Sequence, residues 1–148
     1  MISRLAGALT LLFLLTSSEI AAAQDLASQI VGEWKRKSAV RKYPESGYVA
    51  QPRELGGVAL FTPSGLFAFT QHGGGPASTD AFFGSGTYKV EGDVVVLRYT
   101  SCSDPSWIGQ ERRPTMKVAD KVLTWTGSPF KGWDGKPYFD VMTLTRLE

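Results

Sequence analysis

Hydrophobic and polar positions alternate along much of the chain, most clearly between Gly86 and Thr100. Two strand-like runs there meet at Glu91-Gly92-Asp93, where glycine supplies the positive φ that a two-residue loop needs. A loop at Glu91-Gly92 or at Gly92-Asp93 gives the same two faces. One face carries Tyr88, Val90, Val95, Leu97 and Tyr99, and the other carries Thr87, Lys89, Val94, Val96 and Arg98. The pattern predicts a β-hairpin in either register.

The same alternation predicts six more strands, over residues 32–40, 57–62, 66–71, 109–118, 121–126 and 138–147. Residues 25–30 fit one helical turn, and no amphipathic helix of ten or more residues is found in the remainder. Eight strands in succession predict an all-β fold, an antiparallel up-and-down barrel, because closure removes both exposed edges. The interior of such a barrel is either filled by side chains or able to hold one small ligand.

The lengths of the connections indicate where a site would lie. The connections after the second, fourth and sixth strands are short, at residues 63–65, 91–93 and 119–120. The other four are long, at residues 41–56, 72–83, 101–108 and 127–137. Successive connections of a meander alternate between its ends, so all the long ones fall at one end. That end is the predicted mouth of a binding site.

The N-terminus predicts export. Arg4 is a positive n-region, residues 5–15 form an apolar run, and Ala21-Ala22-Ala23 matches a small-residue cleavage site. The apolar run is shorter than the ~20 residues of a membrane span. We expect residues 1–23 to be a signal peptide and residues 24–148 to be one barrel domain without a transmembrane segment, in the periplasm or secreted. The alternative is an uncleaved N-terminal anchor.

Composition excludes several functions. A net charge of +2 without a basic block argues against nucleic-acid binding. Cys102 is the only cysteine, which excludes an internal disulfide or a cysteine metal cluster. His72 is the only histidine and adjoins three glycines, so we expect a solvated loop residue rather than a catalytic base. We expect neither a metal nor a cofactor.

The sixth strand supplies candidate polar groups for the interior. A turn at Ala119-Asp120 would pair Met116 with Leu123 and Pro114 with Trp125, which puts these apolar pairs inside. The inward residues are then Ile108, Gln110, Arg112, Pro114, Met116 and Val118. Gln110 and Arg112 would lie in the mouth half of the barrel.

A buried arginine without a partner is costly, so it needs a carboxylate of the protein or an anionic ligand. Arg36, with Ser38, is expected on the inner face of the first strand, and Tyr99 at the mouth end of the fifth. Either Asp140 or Glu111 could pair with Arg36 or Arg112, or these arginines could lie in water at the rim. If they do neither, these groups can clamp a carboxylate or enolate on an apolar molecule. The predicted ligand-binding residues are Arg36, Tyr99, Trp107, Gln110 and Arg112.

Aromatic residues cluster on the long connections, where they would contact a ligand or fold back as a lid. They are Phe82, Phe83, Trp107, Phe130 and Trp133. Cys102 lies on the same end, but no histidine is available to act as its base, so a catalytic thiol is not expected.

Four motifs, in this order, resemble the bacterial lipocalin-like domain family: Val-Gly-Glu-Trp at 31–34, Leu-Phe-Thr-Pro-Ser-Gly at 60–65, Gly-Thr-Tyr-Lys-Val-Glu-Gly-Asp at 86–93 and Trp-Ile-Gly-Gln-Glu-Arg at 107–112. Gly32-Glu33-Trp34 on the first strand and Arg146 near the end of the last also resemble the lipocalin and fatty-acid-binding signature. The resemblance implies that Arg146 packs over Trp34 and closes the narrow end of the barrel. It leaves activity open, because fold does not fix function. Many relatives carry a histidine near Leu97, and this chain does not.

Three functions fit these observations. The first is an exported barrel that binds a small, largely apolar molecule at the mouth. The second is an isomerase or cyclase acting on such a molecule, for which Tyr99 with Arg112 is the available acid–base pair. The third is an envelope protein-binding or inhibitor module, which predicts a filled interior and an exposed aromatic patch.

Overall fold

The computed structural model describes residues 25–73, 81–131 and 135–148. In this part of the chain, the strands form a closed, eight-stranded antiparallel barrel, which confirms the predicted fold. The predicted signal peptide, residues 1–23, lies outside the described residues. The strands are β1 (Gly32–Tyr43), β2 (Tyr48–Val49), β3 (Arg53–Gly56), β4 (Val58–Phe61), β5 (Leu66–Gly73), β6 (Ala81–Glu91), β7 (Val94–Cys102), β8 (Glu111–Arg112), β9 (Thr115–Ala119), β10 (Val122–Thr126), β11 (Phe130–Lys131) and β12 (Pro137–Arg146).

Each barrel strand pairs with its neighbours in sequence. β3 and β4 together form one barrel strand, as do β8 and β9, while β2 and β11 are short additions at the mouth. The barrel closes where β1 pairs with β12, in a register that runs from Trp34 opposite Arg146 to Lys42 opposite Phe139. Closure leaves no long unpaired edge between the first and last strands.

The end with the short turns is filled by side chains. The helical turn at residues 25–30 lies under it, with Leu26 and Ile30 buried in the core. The indole of Trp34 donates to the Ile30 carbonyl at 2.7 Å and so fixes this turn against β1. Phe61, Leu97, Leu123 and Leu144 are fully buried in the same cluster. No helix in the described ranges has the length and apolar character that crossing a bilayer requires.

A bulge in β1 reverses which side chains face inward. The register against β12 shifts between Arg36 and Ser38, and Ala39 rather than Ser38 is then fully buried. The expectation that Ser38 shares the inner face with Arg36 is therefore wrong. Beyond the bulge, the alternation brings Arg41 to the inside of the barrel mouth.

Two hairpin turns show how the register compares with expectation. β6 and β7 meet at Gly92-Asp93, with Val90 opposite Val95, which is one of the two predicted registers. β9 and β10 meet at Asp120-Lys121, both with positive φ, so Met116 lies opposite Trp125 and not opposite Leu123. Pro114, Met116 and Val118 keep their predicted inward face, because the register differs by two residues. Ile108, also expected inside, is instead exposed.

Strands extend further into the second long connection than expected. β5 continues to Gly73 and β6 begins at Ala81, so His72 is an exposed strand residue and not part of a loop. Residues 74–80 lie outside the described part of the chain.

Candidate functional site

A cavity of about 430 Å³ opens at the end of the barrel that carries the long connections. Its volume lies within the range of roughly 300–1,000 Å³ that small-molecule sites occupy. All four long connections, or the strand ends beside them, contribute to its wall, as the loop lengths predict. The described lining residues are Arg36, Arg41, Arg53, Phe69, Gln71, Phe82, Tyr99, Asp104, Trp107, Arg112, Pro114, Trp125, Gly127, Ser128, Phe130, Tyr138, Asp140 and Met142.

Arg36 is a buried cation on this wall, with 2% of its surface exposed. Its Nη1 donates to Gln71 Oε1 at 3.0 Å and lies 2.9 Å from Met142 Sδ. Its Nε is buried without a hydrogen-bond partner among the described residues. Burial lowers the pKa of Arg36 from its ordinary value to about 10, and the nearby Tyr99 partly opposes this shift. Within the described chain, no carboxylate forms an ion pair with Arg36.

The aromatic surroundings of Arg36 compensate only in part for the lost water. Its guanidinium carbon lies 5.1 Å from the ring centre of Phe69 and 5.7 Å from that of Trp125. Such contacts contribute about 0.5–2 kcal/mol, less than the desolvation of a charge. The site therefore favours an incoming anion.

Arg112 is the second cation of the cavity, on the short strand β8. Its guanidinium carbon lies 4.2 Å from the ring centre of Trp107 and 5.8 Å from that of Phe130. Its Nε is also buried without a hydrogen-bond partner in the described ranges. Glu111, which the sequence left as a possible ion-pair partner of an inner arginine, instead accepts from Arg113 at 2.9 Å on the outer face of the barrel.

Tyr99, with 3% of its surface exposed, shares one ring neighbour with each cation. That neighbour is Phe69 for Arg36 and Trp107 for Arg112. Burial raises the pKa of Tyr99 well above its ordinary value of 10.0, and Arg36 and Arg112 both act to lower it. The phenol is therefore neutral at physiological pH and able to donate a hydrogen bond. Edge-on packing against Phe67, Phe69 and Trp107, at centroid distances of 5.2–6.1 Å, fixes its ring.

An ion-pair network closes one side of the cavity mouth. Asp140 accepts from Arg41 at 2.9 and 3.1 Å and from Arg53 at 2.9 Å. Arg41 also lies 3.8 Å from the ring centre of Tyr138, and its bond to Asp140 raises the pKa of Arg41. Asp140 is thereby committed to rim arginines and is not the partner of Arg36.

Gln110 is the predicted site residue that the structure places elsewhere. It is exposed and does not line the cavity, and its amide donates to the Ser106 carbonyl at 2.7 Å. The chain forms a single 3₁₀ turn at Pro105–Trp107 and passes through Gly109 at φ 79°, so the strand begins only at Glu111. The Asp104 cap, Pro105 and Gly109 are the sequence signal for such a turn.

Only some of the other aromatic residues predicted at the mouth line the cavity. Phe82, Trp107 and Phe130 line the cavity, whereas half of the surface of Phe83 is exposed on the outside. Trp133 lies outside the described residues. Cys102 is a half-buried free thiol that packs against the core. Sequence reasoning missed the wall residues Arg41, Arg53, Phe69, Gln71, Tyr138 and Met142.

Gly32, Trp34 and Arg146, which were expected to close the barrel, lie together at its narrow end. The guanidinium carbon of Arg146 lies 4.3 Å from the ring centre of Trp34. Arg146 also donates to the carbonyls of Val31, at 2.8 Å, and Gln29. A Cβ at Gly32 would lie 2.7 Å from Arg146 Nη1, so the arginine needs glycine here.

Among the described residues, no group of three or more His, Cys, Asp or Glu side chains is arranged to hold a metal ion. No protein-family model matches this chain, and no curated protein matches it. Its function must therefore be argued from the cavity itself.

Proposed function

We propose that this chain is an exported, lipocalin-like barrel that binds a small, largely apolar molecule with an acidic end in the cavity at its mouth. One observation carries the proposal: Arg36 and Arg112 both face the cavity with a buried Nε that has no partner in the described chain. An unpaired buried charge is costly, and an anionic ligand group would offset that cost.

The remaining wall supports an apolar ligand body. Seven of the described lining residues are aromatic: Phe69, Phe82, Tyr99, Trp107, Trp125, Phe130 and, at the rim, Tyr138. Aromatic walls with a few oriented polar groups are typical of small-molecule sites. The cavity also argues against a protein-binding module, which would have a filled interior. Export is supported by the N-terminal sequence pattern, and a lipocalin-like relationship by the four motifs.

Two matched dyes test the anion requirement. 1-Anilinonaphthalene-8-sulfonate and N-phenyl-1-naphthylamine share one aromatic skeleton, but only the first carries a sulfonate. We expect the mature protein to bind the sulfonate more tightly, in a fluorescence titration at fixed ionic strength. Arg112→Met should reduce this preference, and the double variant Arg36→Met/Arg112→Met should abolish it. Arg98→Met removes the same charge from an exposed position on the outer face of β7 and should leave the preference unchanged.

Native mass spectrometry of the protein, purified gently from its own compartment, tests the natural ligand. A mass that is lost on denaturation would support a carrier and identify the molecule. Equal affinity for the two dyes would contradict the proposed anion site, and binding of neither dye would contradict the proposed function.

A further inference from the structure

The described wall of the cavity carries more positive than negative charge. Four arginines line it, against two aspartates. Asp140 lies between Arg41 and Arg53 at the rim. Asp104 accepts from the Ser106 backbone amide at 2.9 Å and caps the 3₁₀ turn. Neither carboxylate pairs with Arg36 or Arg112, so the described part of the wall has an excess of two positive charges.

We propose that the ligand is a dianion, a flat apolar body with two acidic groups, one bound by Arg36 and the other by Arg112. This inference rests on the proposed function and specifies its ligand class. A monoanion would balance only one of the two excess charges and leave the other guanidinium, with its buried Nε, without a counterion.

The two cations approach the cavity from separate parts of the wall. Arg36 is on β1 and Arg112 on β8, and the route between them passes through β12 and β10. The aromatic neighbours of the two cations also differ, with Phe69 and Trp125 beside Arg36 and with Trp107 and Phe130 beside Arg112. These are two subsites rather than one clamp.

The subsites differ in depth. Arg36 is almost fully buried, whereas Arg112 is half-buried and adjoins the loop that carries Trp107. The Tyr99 ring packs against Phe69 and Trp107. Phe69 contacts Arg36, and Trp107 contacts Arg112. A ligand with acidic groups at both ends of an aromatic body fits this order of charges, with its body against the Tyr99 and Trp107 rings.

Naphthalene-2-carboxylate and naphthalene-2,6-dicarboxylate are matched probes, because they differ by one acidic group on one skeleton. We expect calorimetric titration of the full mature protein at pH 7.5 and fixed salt to show at least tenfold tighter binding of the dicarboxylate. Arg36→Met and Arg112→Met should each reduce dicarboxylate affinity to that of the monocarboxylate. Arg98→Met should leave both affinities unchanged.

The outcomes separate this inference from the function on which it rests. Equal affinity of the wild-type protein for both probes would overturn the dianion and leave a monoanion site. Failure of both probes, together with failure of the anilinonaphthalene sulfonate, would overturn the function as well. A dicarboxylate preference that survives in both variants would overturn the assignment of the two arginines. The wild-type comparison needs no variant, so it decides even if a variant does not fold.

Discussion

Replacing Arg36 by methionine should make the ligand-free protein more stable. Methionine keeps most of the side-chain volume and removes the charge. The fall in the Arg36 pKa from its ordinary value to about 10 corresponds to about 3 kcal/mol of destabilisation, at about 1.4 kcal/mol per pKa unit. Little solvent discount applies, because only 2% of the residue is exposed.

Two losses reduce this gain. The Arg36 bond to Gln71 contributes about 1 kcal/mol, and the contacts with Phe69 and Trp125 contribute about 1 kcal/mol more. The free energy of unfolding should therefore rise by about 1 kcal/mol, which raises Tm by about 3–5 °C for a domain of this size.

The pH of the measurement follows from the sign of the shift. Below a pH of about 10, Arg36 is protonated in both states, and the full penalty is present. Between that pH and the ordinary pKa of arginine, the unfolded chain binds the extra proton, so the free energy of unfolding rises with pH and the penalty disappears. Thermal unfolding at pH 7 therefore measures the whole effect.

The matched control is Arg98→Met, an exposed substitution that should change stability by no more than about 0.5 kcal/mol. Naphthalene-2,6-dicarboxylate at about 100 times its Kd should stabilise the wild type by about 2.7 kcal/mol. The wild type should then be more stable than Arg36→Met. A fall in Tm of several degrees for ligand-free Arg36→Met would refute the reasoning, because the guanidinium would then stabilise the barrel.

Three further changes test other parts of the structure. Gly32→Ala should lower the free energy of unfolding, measured in urea, by about 1–3 kcal/mol, because φ is 125° there and the new Cβ would meet Arg146. An unchanged free energy of unfolding would contradict this contact. Asp140→Asn should tighten dicarboxylate binding in a calorimetric titration, because Arg41 would lose its counterion; weaker binding by a folded variant would count against the charge balance. Tyr99→Phe should have the same absorbance titration at 295 nm as the wild type up to about pH 11, because burial raises the Tyr99 pKa. Loss of a titration step near pH 10 in the variant would contradict the raised pKa. The unfolded phenol ionises first, so the free energy of unfolding should fall above a pH of about 10.

The position of the mouth could be predicted because it depends on which connections are long and which are short, not on the exact ends of the strands. The turn expected at residues 119–120 lies at Asp120-Lys121, an error of one residue that leaves a short connection short. A register error of two residues likewise leaves each side chain on its face. Predictions from alternation and from connection length therefore stay correct when a turn is misplaced by one residue or a register by two.

The bulge in β1 could not be predicted, because it depends on strands that are distant in sequence. Arg36 donates its backbone amide to Gly57 at 2.9 Å, where the chain bends between β3 and β4. Gly57 adopts φ 105°, and a Cβ there would lie 2.2 Å from the Thr70 carbonyl oxygen. No local pattern in residues 32–40 contains this constraint.

The bulge also decides which arginine pairs with Asp140. Beyond it, Arg41 lies directly opposite Asp140 in the register of β1 and β12 and faces the cavity mouth. Without the bulge, Arg41 would face outward, and Asp140 would be available to an inner arginine. The sequence left Asp140 as a candidate partner for Arg36, and one extra residue in a strand removes that possibility. The lack of a carboxylate partner for Arg36 within the described chain is therefore a consequence of the fold rather than of composition.

The two ends of the barrel use the same residue type in opposite ways. At the narrow end, Arg146 stacks on Trp34 and also donates to two backbone carbonyls, so its charge is both packed and hydrogen-bonded. At the mouth, Arg36 and Arg112 stack on aromatic rings in the same manner, yet each keeps a buried Nε without a partner in the described chain. Stacking on a ring is thus common to structural and candidate binding arginines. The missing acceptor distinguishes them, and it is the acceptor that an acidic ligand supplies.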